Sequence, residues 1–385
     1  MATDSGTWAY RDRFGDRFGR TYFRRFPPGV CSSIGLGTYL GEPTDAVDDE
    51  YRAAITAALN SGINMIDTAI NYRCQRSERV VGDALADSEA DREEVVVATK
   101  GGFLPFDGSQ PADPGRYIRE QYIDTDIVDP DTLVRGSHSI EPGVIDHLLD
   151  RSLSNLDLDR IDCYYVHNPE TQLLDREPAS VYDSLEATFE LLERRRAVGD
   201  IGCYGLATWE ALRVPPSAEQ HLSLATLLDR AARAADAVGV DDHGLQVIQL
   251  PFNIEMADAF TQASQPAPLG SDNADSDSGG GGGDRLDGDT GDEWVSALEY
   301  AHEAGLHVVT SASIGQAALA ESIPPAIAAE LAGDTTAQQA INFARSAPGV
   351  TTSLVGMSSP NHVDENVAAG TFDPLGASAF EAIFE

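Results

Sequence analysis

Short runs rich in β-branched and aromatic residues alternate along this chain with stretches of helical periodicity. The runs 33–40, 63–67, 95–99, 161–166, 201–207, 245–250, 307–311 and 350–355 predict strands. Between them, 48–60 places Tyr51, Ile55, Ala58 and Leu59 on one helical face and stops at Gly62. Segment 141–156 does the same with Val144, Leu148, Ser152 and Leu156. Further helices are predicted over 180–196, 217–238, 292–304, 336–346 and 360–369. Strands alternating with helices imply a parallel sheet. Eight strand runs are the number that closes an α/β (β/α)8 TIM barrel, here preceded by an N-terminal extension. The competing open, doubly wound sheet usually carries a glycine fingerprint after its first strand. Here Gly35-Leu36-Gly37-Thr38 lies inside the first strand run, lacks the third glycine and opens no helix, so the barrel is preferred.

Two segments break the rhythm. Residues 1–30 hold six arginines against three aspartates and are expected to form an arm or barrel cap ahead of a single domain over 31–385. Residues 266–293 include Gly279 to Gly283 and are strongly acidic, which predicts a flexible, self-repelling loop on the C-terminal face. The stretch 103–139 is less biased; with Phe103, Phe106, Tyr117 and Tyr122 it is the better candidate for a substrate-pocket wall.

Composition narrows the function. The chain carries 63 acidic residues against 26 basic ones, a formal net charge of −37. That charge repels phosphate backbones and anionic lipid, so neither nucleic acid nor a membrane is an expected partner. No apolar run approaches the ~20 residues that span a bilayer. Cys31, Cys74, Cys163 and Cys203 are dispersed without a CxxC pair, so no metal site or disulfide framework is expected and the compartment reads as reducing. The first ten residues lack the order of a signal peptide, which makes the cytoplasm the expected location. Acidity with arginine in place of lysine resembles the composition of organisms that keep high salt inside the cell, where salt screens the self-repulsion.

Lys100 is the sole lysine in the sequence. It follows the third strand run, as Asp67 ends the second and His167 follows the fourth, with Tyr72 five residues after Asp67. A barrel brings such strand ends to one mouth. Read singly, Asp67 suits a helix cap, Tyr72 a packed aromatic and His167 a turn. Lys100 is harder to read that way, because the compact ammonium kept there is one that a planar guanidinium cannot replace in a tight site. Together the set suits protonation of an oxygen that gains negative charge, as hydride delivery to a carbonyl requires. A Schiff-base lyase using Lys100 and a non-catalytic nicotinamide-binding sensor or scaffold are the alternatives.

From about residue 33 to 369 the chain resembles the aldo-keto reductases. The resemblance rests on Gly35-Leu36-Gly37-Thr38-Tyr39, Ile66-Asp67-Thr68-Ala69 with Tyr72, and Ser77-Glu78 with Gly82 and Leu85. Thr99-Lys100, Ile161-Asp162 with His167, Gly199-Asp200-Ile201 with Gly205, Gln249, and Val355-Gly356 with Glu365-Asn366 complete it. It implies a catalytic tetrad of Asp67, Tyr72, Lys100 and His167, a small-molecule carbonyl substrate, and NADPH, or NADH, extended across the barrel mouth. It places Gly37, Thr38 and Asp67 near the nicotinamide, Thr208 and Gln249 at the carboxamide, and 311–316, with Ser311 and Gln316, over the pyrophosphate. Glu365 and Asn366 would meet the adenosine, beside a helix start at Pro360 whose free N–H groups suit phosphate. The departures are Ala207-Thr208 for the usual Ser-Asn and Ser311 for an aromatic. Gly356 and His362 stand where many members grip the 2′-phosphate with Lys and Arg, which leaves three readings: Ser358 and Ser359 bond it, these serines are ordinary helix-start residues, or the enzyme accepts NADH. The run from Asn71 to Glu78 is longer than the common spacing.

Overall fold

The computed structural model describes residues 1–267 and 294–385. Eight parallel strands close a barrel: β1 (Ile34–Gly37), β2 (Met65–Asp67), β3 (Val96–Gly101), β4 (Ile161–His167), β5 (Ile201–Ala207), β6 (Leu245–Pro251), β7 (His307–Ser311) and β8 (Val350–Gly356). Their order around the barrel follows the sequence, with β8 pairing back to β1. Each strand is followed by a helix: α1 (Asp45–Leu59), α2 (Arg76–Ala86), α3 (Pro142–Leu156), α4 (Pro178–Val198), α5 (Leu224–Val238), α6 (Ala297–Glu303), α7 (Thr336–Ser346) and α8 (Pro360–Ala368). The (β/α)8 fold expected from the alternation is the fold observed.

The differences from the sequence reading are local. Strand run 33–40 narrows to β1, whereas β3 and β4 run on to include Lys100 and His167. Helix α2 escaped the periodicity reading, because its buried face mixes Val80, Val81 and Ala84 with the polar Ser77 and Glu78. The helix predicted from residue 217 starts at Leu224, since the Ser223 hydroxyl accepts the Thr226 N–H at 3.3 Å and caps it there. The start predicted at residue 292 lies outside the described residues, as does almost all of the acidic loop 266–293.

Residues 1–32 pack against the N-terminal end of the barrel. A helix, Asp4–Phe14, leads to an antiparallel hairpin of Phe23–Phe26 and Gly29–Ser32. Phe26, Cys31 and Ala2 enter the barrel interior with Met65, Val96, Cys163, Tyr165, Cys203, Val247 and Val309. The Ala2 backbone N–H donates to the buried Asp162 carboxylate at 2.6 Å. With that end plugged by apolar side chains, the open face is the C-terminal one, where the strand-end residues emerge.

Candidate functional site

Asp67, Lys100 and His167 come from the C-terminal ends of β2, β3 and β4. The Lys100 side chain is fully buried. Its ammonium donates to the Asp67 carboxylate and, at 2.7 Å, to the Thr68 backbone oxygen. The second Asp67 oxygen accepts from Gln249 Nε2 at 2.8 Å. Lys100 Nζ lies 4.8 Å from the centroid of the Tyr72 ring. The Tyr72 ring meets the His167 imidazole edge-on, with centroids 6.0 Å apart, and the Tyr39 ring on another side at 5.0 Å. The structure therefore brings all four predicted residues together.

Tyr72 owes its position to the loop behind it. Arg73, Cys74 and Gln75 all adopt left-handed backbone, φ 47°, 57° and 69°, a conformation that costs of order 1 kcal/mol per L-residue. Buried polar bonds hold it. Arg73 pairs with Asp48 and donates to the backbone oxygens of Glu42 and Thr44. Gln75 donates to Phe106 O at 3.0 Å and accepts from Arg151 and Asn155. This is what the longer run after Tyr72 builds.

Ionisation follows from burial and these contacts. Burial alone would lower the Lys100 pKa, but Asp67 and Tyr72 together raise it above the usual lysine value, so the ammonium stays charged. Burial pushes Tyr72 up as well; Lys100 opposes that rise without cancelling it. Burial is the larger effect, and the phenol keeps its proton. Asp67 is raised by burial against the pull of Lys100 and Gln249. His167 is held well below the usual imidazole value by burial, Lys100 and His138, so it is neutral at pH 7. Its Nδ1 is buried without a hydrogen-bond partner.

Tyr72 stands where two lobes of one cleft meet. The first, about 860 Å³ of empty space, runs from Asp67 along Gly37, Thr38, Gln249, Ser311 and Gln316 to Gly356, Ser358 and His362. The second, about 1000 Å³, is lined by Tyr39, Asn71, Phe103, His167, Asn168, Thr208 and Trp209. Among the described residues, no arginine or lysine lines either lobe. Of the residues that the sequence reading assigned to the cofactor, Glu365 and Asn366 do not line the cleft; Glu365 is exposed on α8 and Asn366 is buried. Thr208 lies in the second lobe, its hydroxyl donating to the Gln249 backbone oxygen at 3.3 Å. Ser359 is the α8 cap, accepting the His362 N–H at 3.3 Å, while the Ser358 hydroxyl lies 3.5 Å from His362 Nδ1.

The wall expected from 103–139 is only partly there. Phe103 lines the second lobe, but Phe106, Tyr117 and Tyr122 belong to a small core of their own with Leu104, Ile118 and Val128. The insert packs these side chains against Ile70 and against Val144 and Leu148 of α3. Asn71, Asn168 and Tyr39 were missed as lining residues. Each adjoins a residue that was singled out, and that adjacency was the available signal.

The sequence profile of the Aldo/keto reductase family matches residues 33–223 and 297–385. A D-threo-aldose 1-dehydrogenase from a Pseudomonas species is 35% identical over 161 residues, 42% of this chain and 44% of that protein. A glycerol 2-dehydrogenase (NADP(+)) of Saccharomyces cerevisiae is 35% identical over 136 residues, 35% of this chain and 30% of that one. The chain thus matches less than half the length of either relative. Among solved structures, an aldo-keto reductase from Klebsiella pneumoniae in complex with NADPH superposes with a TM-score of 0.57 at 19% identity, covering 95% of this chain and 94% of that one. The glycerol dehydrogenase of Gluconobacter oxydans gives 0.61 at 18%, covering 95% of each. At these identities the likeness speaks for the fold.

Proposed function

The chain belongs to the aldo/keto reductase family, and from that premise we propose that it reduces aldehydes or ketones to alcohols with a nicotinamide dinucleotide. The observation that carries this reading is the buried ammonium of Lys100, fixed by Asp67 beside a protonated Tyr72 at the junction of two lobes.

The first lobe fits an elongated dinucleotide. It ends near the start of α8, whose free N–H groups suit phosphate. The loop after β7 turns through positive φ at Ala312, Gln316 and Ala317, backbone of the kind that points N–H groups into a concavity. Gly37, Thr38, Asp67, Gln249, Ser311, Gln316, Gly356, Ser358 and His362 would hold the cofactor, NADPH with NADH as second choice. A reduced nicotinamide supplies the hydride when bound. The chain's own residues supply the rest. His167, neutral, directs the carbonyl oxygen toward the Tyr72 hydroxyl. Tyr72 gives that oxygen its proton as negative charge develops. The Lys100 ammonium stabilises the phenolate left behind, and Asp67 keeps the ammonium in place.

In the second lobe the rings of Tyr39, Phe103 and Trp209 and the amides of Asn71 and Asn168 suit a neutral, polar substrate. The Asn71 Oδ1 is buried without a partner and is free to accept a substrate hydroxyl. Attack by Lys100 as a Schiff-base nucleophile is disfavoured, because its raised pKa keeps it protonated. We place the protein in a cytoplasm of high salt, on its −37 charge and its four free thiols. Among the described residues no helix is long and apolar enough to cross a membrane. The test is oxidation of NADPH or NADH by purified protein in molar KCl with a panel of neutral aldoses, aldehydes and ketones. Cofactor binding without turnover across the panel would favour the non-catalytic sensor instead.

A further inference from the structure

The insert 103–139 leaves the barrel after β3 and returns at His138 and Ser139, where the Ser139 N–H donates to Gly102 O at 2.9 Å. His138 is completely buried. Its Nε2 lies 2.8 Å from the backbone oxygen of His167, and its Nδ1 lies 2.8 Å from Nε2 of Gln172. A carbonyl oxygen only accepts and an amide nitrogen only donates. One neutral tautomer satisfies both contacts, with the hydrogen on Nε2 and the lone pair on Nδ1. Gln172 is fixed in turn: its Nε2 also donates to His138 O at 3.0 Å, and its Oε1 accepts from Arg176, which pairs with Glu141.

On the other side of this contact, His167 ends β4 and Asn168 turns the chain through left-handed backbone, φ 46°. The His167 ring has no polar anchor at Nδ1. Its direction comes from the backbone and from the rings packed on it: Tyr72, with centroids 6.0 Å apart, and Phe103, which stands 5.1 Å from His167 and 4.6 Å from His138. Space is kept for the contact. A Cβ on Gly102, φ +153°, would fall 2.7 Å from His167 O and 3.2 Å from His138 Nε2.

We propose that His138 is a positioning residue for His167, clamping its carbonyl and the Phe103 ring so that the unanchored imidazole points into the second lobe. The inference rests on the reductase reading. Through this clamp the insert 103–139 becomes part of the machinery that aims the substrate oxygen, rather than a decoration of the barrel. Burial pushes His138 down to about 4, so the neutral tautomer persists across the working pH range.

The test pairs kinetics with ring NMR on the full chain. His138→Leu keeps bulk and removes the donor. It is expected to lower kcat by about 10- to 100-fold, the scale of an ångström-level misplacement, while the cofactor dissociation constant stays within about twofold. The ¹⁵N signals of the His167 ring should move in this variant. His138→Gln keeps an N–H donor and should recover part of the loss. Wild-type kcat in a folded His138→Leu, or a fall in kcat with unmoved His167 signals, overturns the proposal. If the Leu variant does not fold, His138→Gln decides: a partial fall in kcat accompanied by a partial shift of the His167 signals supports the clamp, and a fall in kcat with unmoved signals, or wild-type kcat, overturns it. If wild-type protein reduces no carbonyl, the reductase reading fails separately, and the His167 signals still report on the clamp.

Discussion

Replacing Lys100 with methionine keeps an unbranched side chain one heavy atom shorter and deletes its charge. The phenolate forming on Tyr72 would then lose a positive charge whose distance from the ring centroid is 4.8 Å. With an effective dielectric of about 20, that charge stabilises the phenolate by about 3.5 kcal/mol. The corresponding fall in kcat is about 300-fold. Stability would fall too, by about 3–5 kcal/mol, because Asp67 would be left buried without its partner. The double variant Asp67→Asn/Lys100→Met removes both charges and leaves the contact with Gln249 available, so it should recover much of the melting temperature. It should not recover turnover. The assay is the initial rate of cofactor oxidation at saturating carbonyl, set beside thermal melting of the same samples. A double variant that turns over within tenfold of wild type would show that the ammonium is structural and that the reasoning about Tyr72 is wrong.

The remaining expectations concern cofactor, salt and pH. With Ser358 and His362 at the end of the first lobe and no arginine or lysine among its described lining residues, kcat/KM for NADPH should exceed that for NADH by less than about tenfold, and His362→Arg should raise the ratio roughly three- to tenfold; an unchanged ratio would move the phosphate elsewhere. Melting temperature should climb steeply from low to molar KCl as salt screens the −37 charge, and a flat profile would count against the high-salt setting. An imidazole in the unfolded chain titrates near ~6.5, whereas His138 in the fold titrates at about 4. Between these values the unfolded chain binds the extra proton, so stability drops as pH falls through that window, by up to about 3 kcal/mol from this ring. His138→Gln should remove that part of the acid sensitivity, seen as a shallower melting-temperature slope, and parallel slopes would refute the assignment.

The barrel was legible because its strands are buried on both sides and read as continuous apolar runs. Lys100 stood out because composition isolated it, and Asp67, Tyr72 and His167 because strand ends converge. What stayed hidden was set by contacts between distant segments. Nothing local announces that His138 meets His167 across 29 positions, or that Gln249 reaches Asp67 across 182. The left-handed run at Arg73 to Gln75 is likewise invisible, since none of these residues favours that backbone and it is held by contacts with distant residues such as Asp48, Phe106 and Arg151. Glu365 and Asn366 follow His362 on α8, and neither is among the residues lining the cleft.

The central claim is that Tyr72 delivers the proton to a carbonyl reduced in this cleft. Tyr72→Phe removes one oxygen and keeps the ring that packs on Tyr39 and His167. Turnover of a carbonyl should drop by at least about a thousandfold, while the cofactor still quenches the fluorescence of Trp209 at the cleft mouth with wild-type affinity. A Tyr72→Phe protein that reduces the same carbonyl at the wild-type rate would contradict the account.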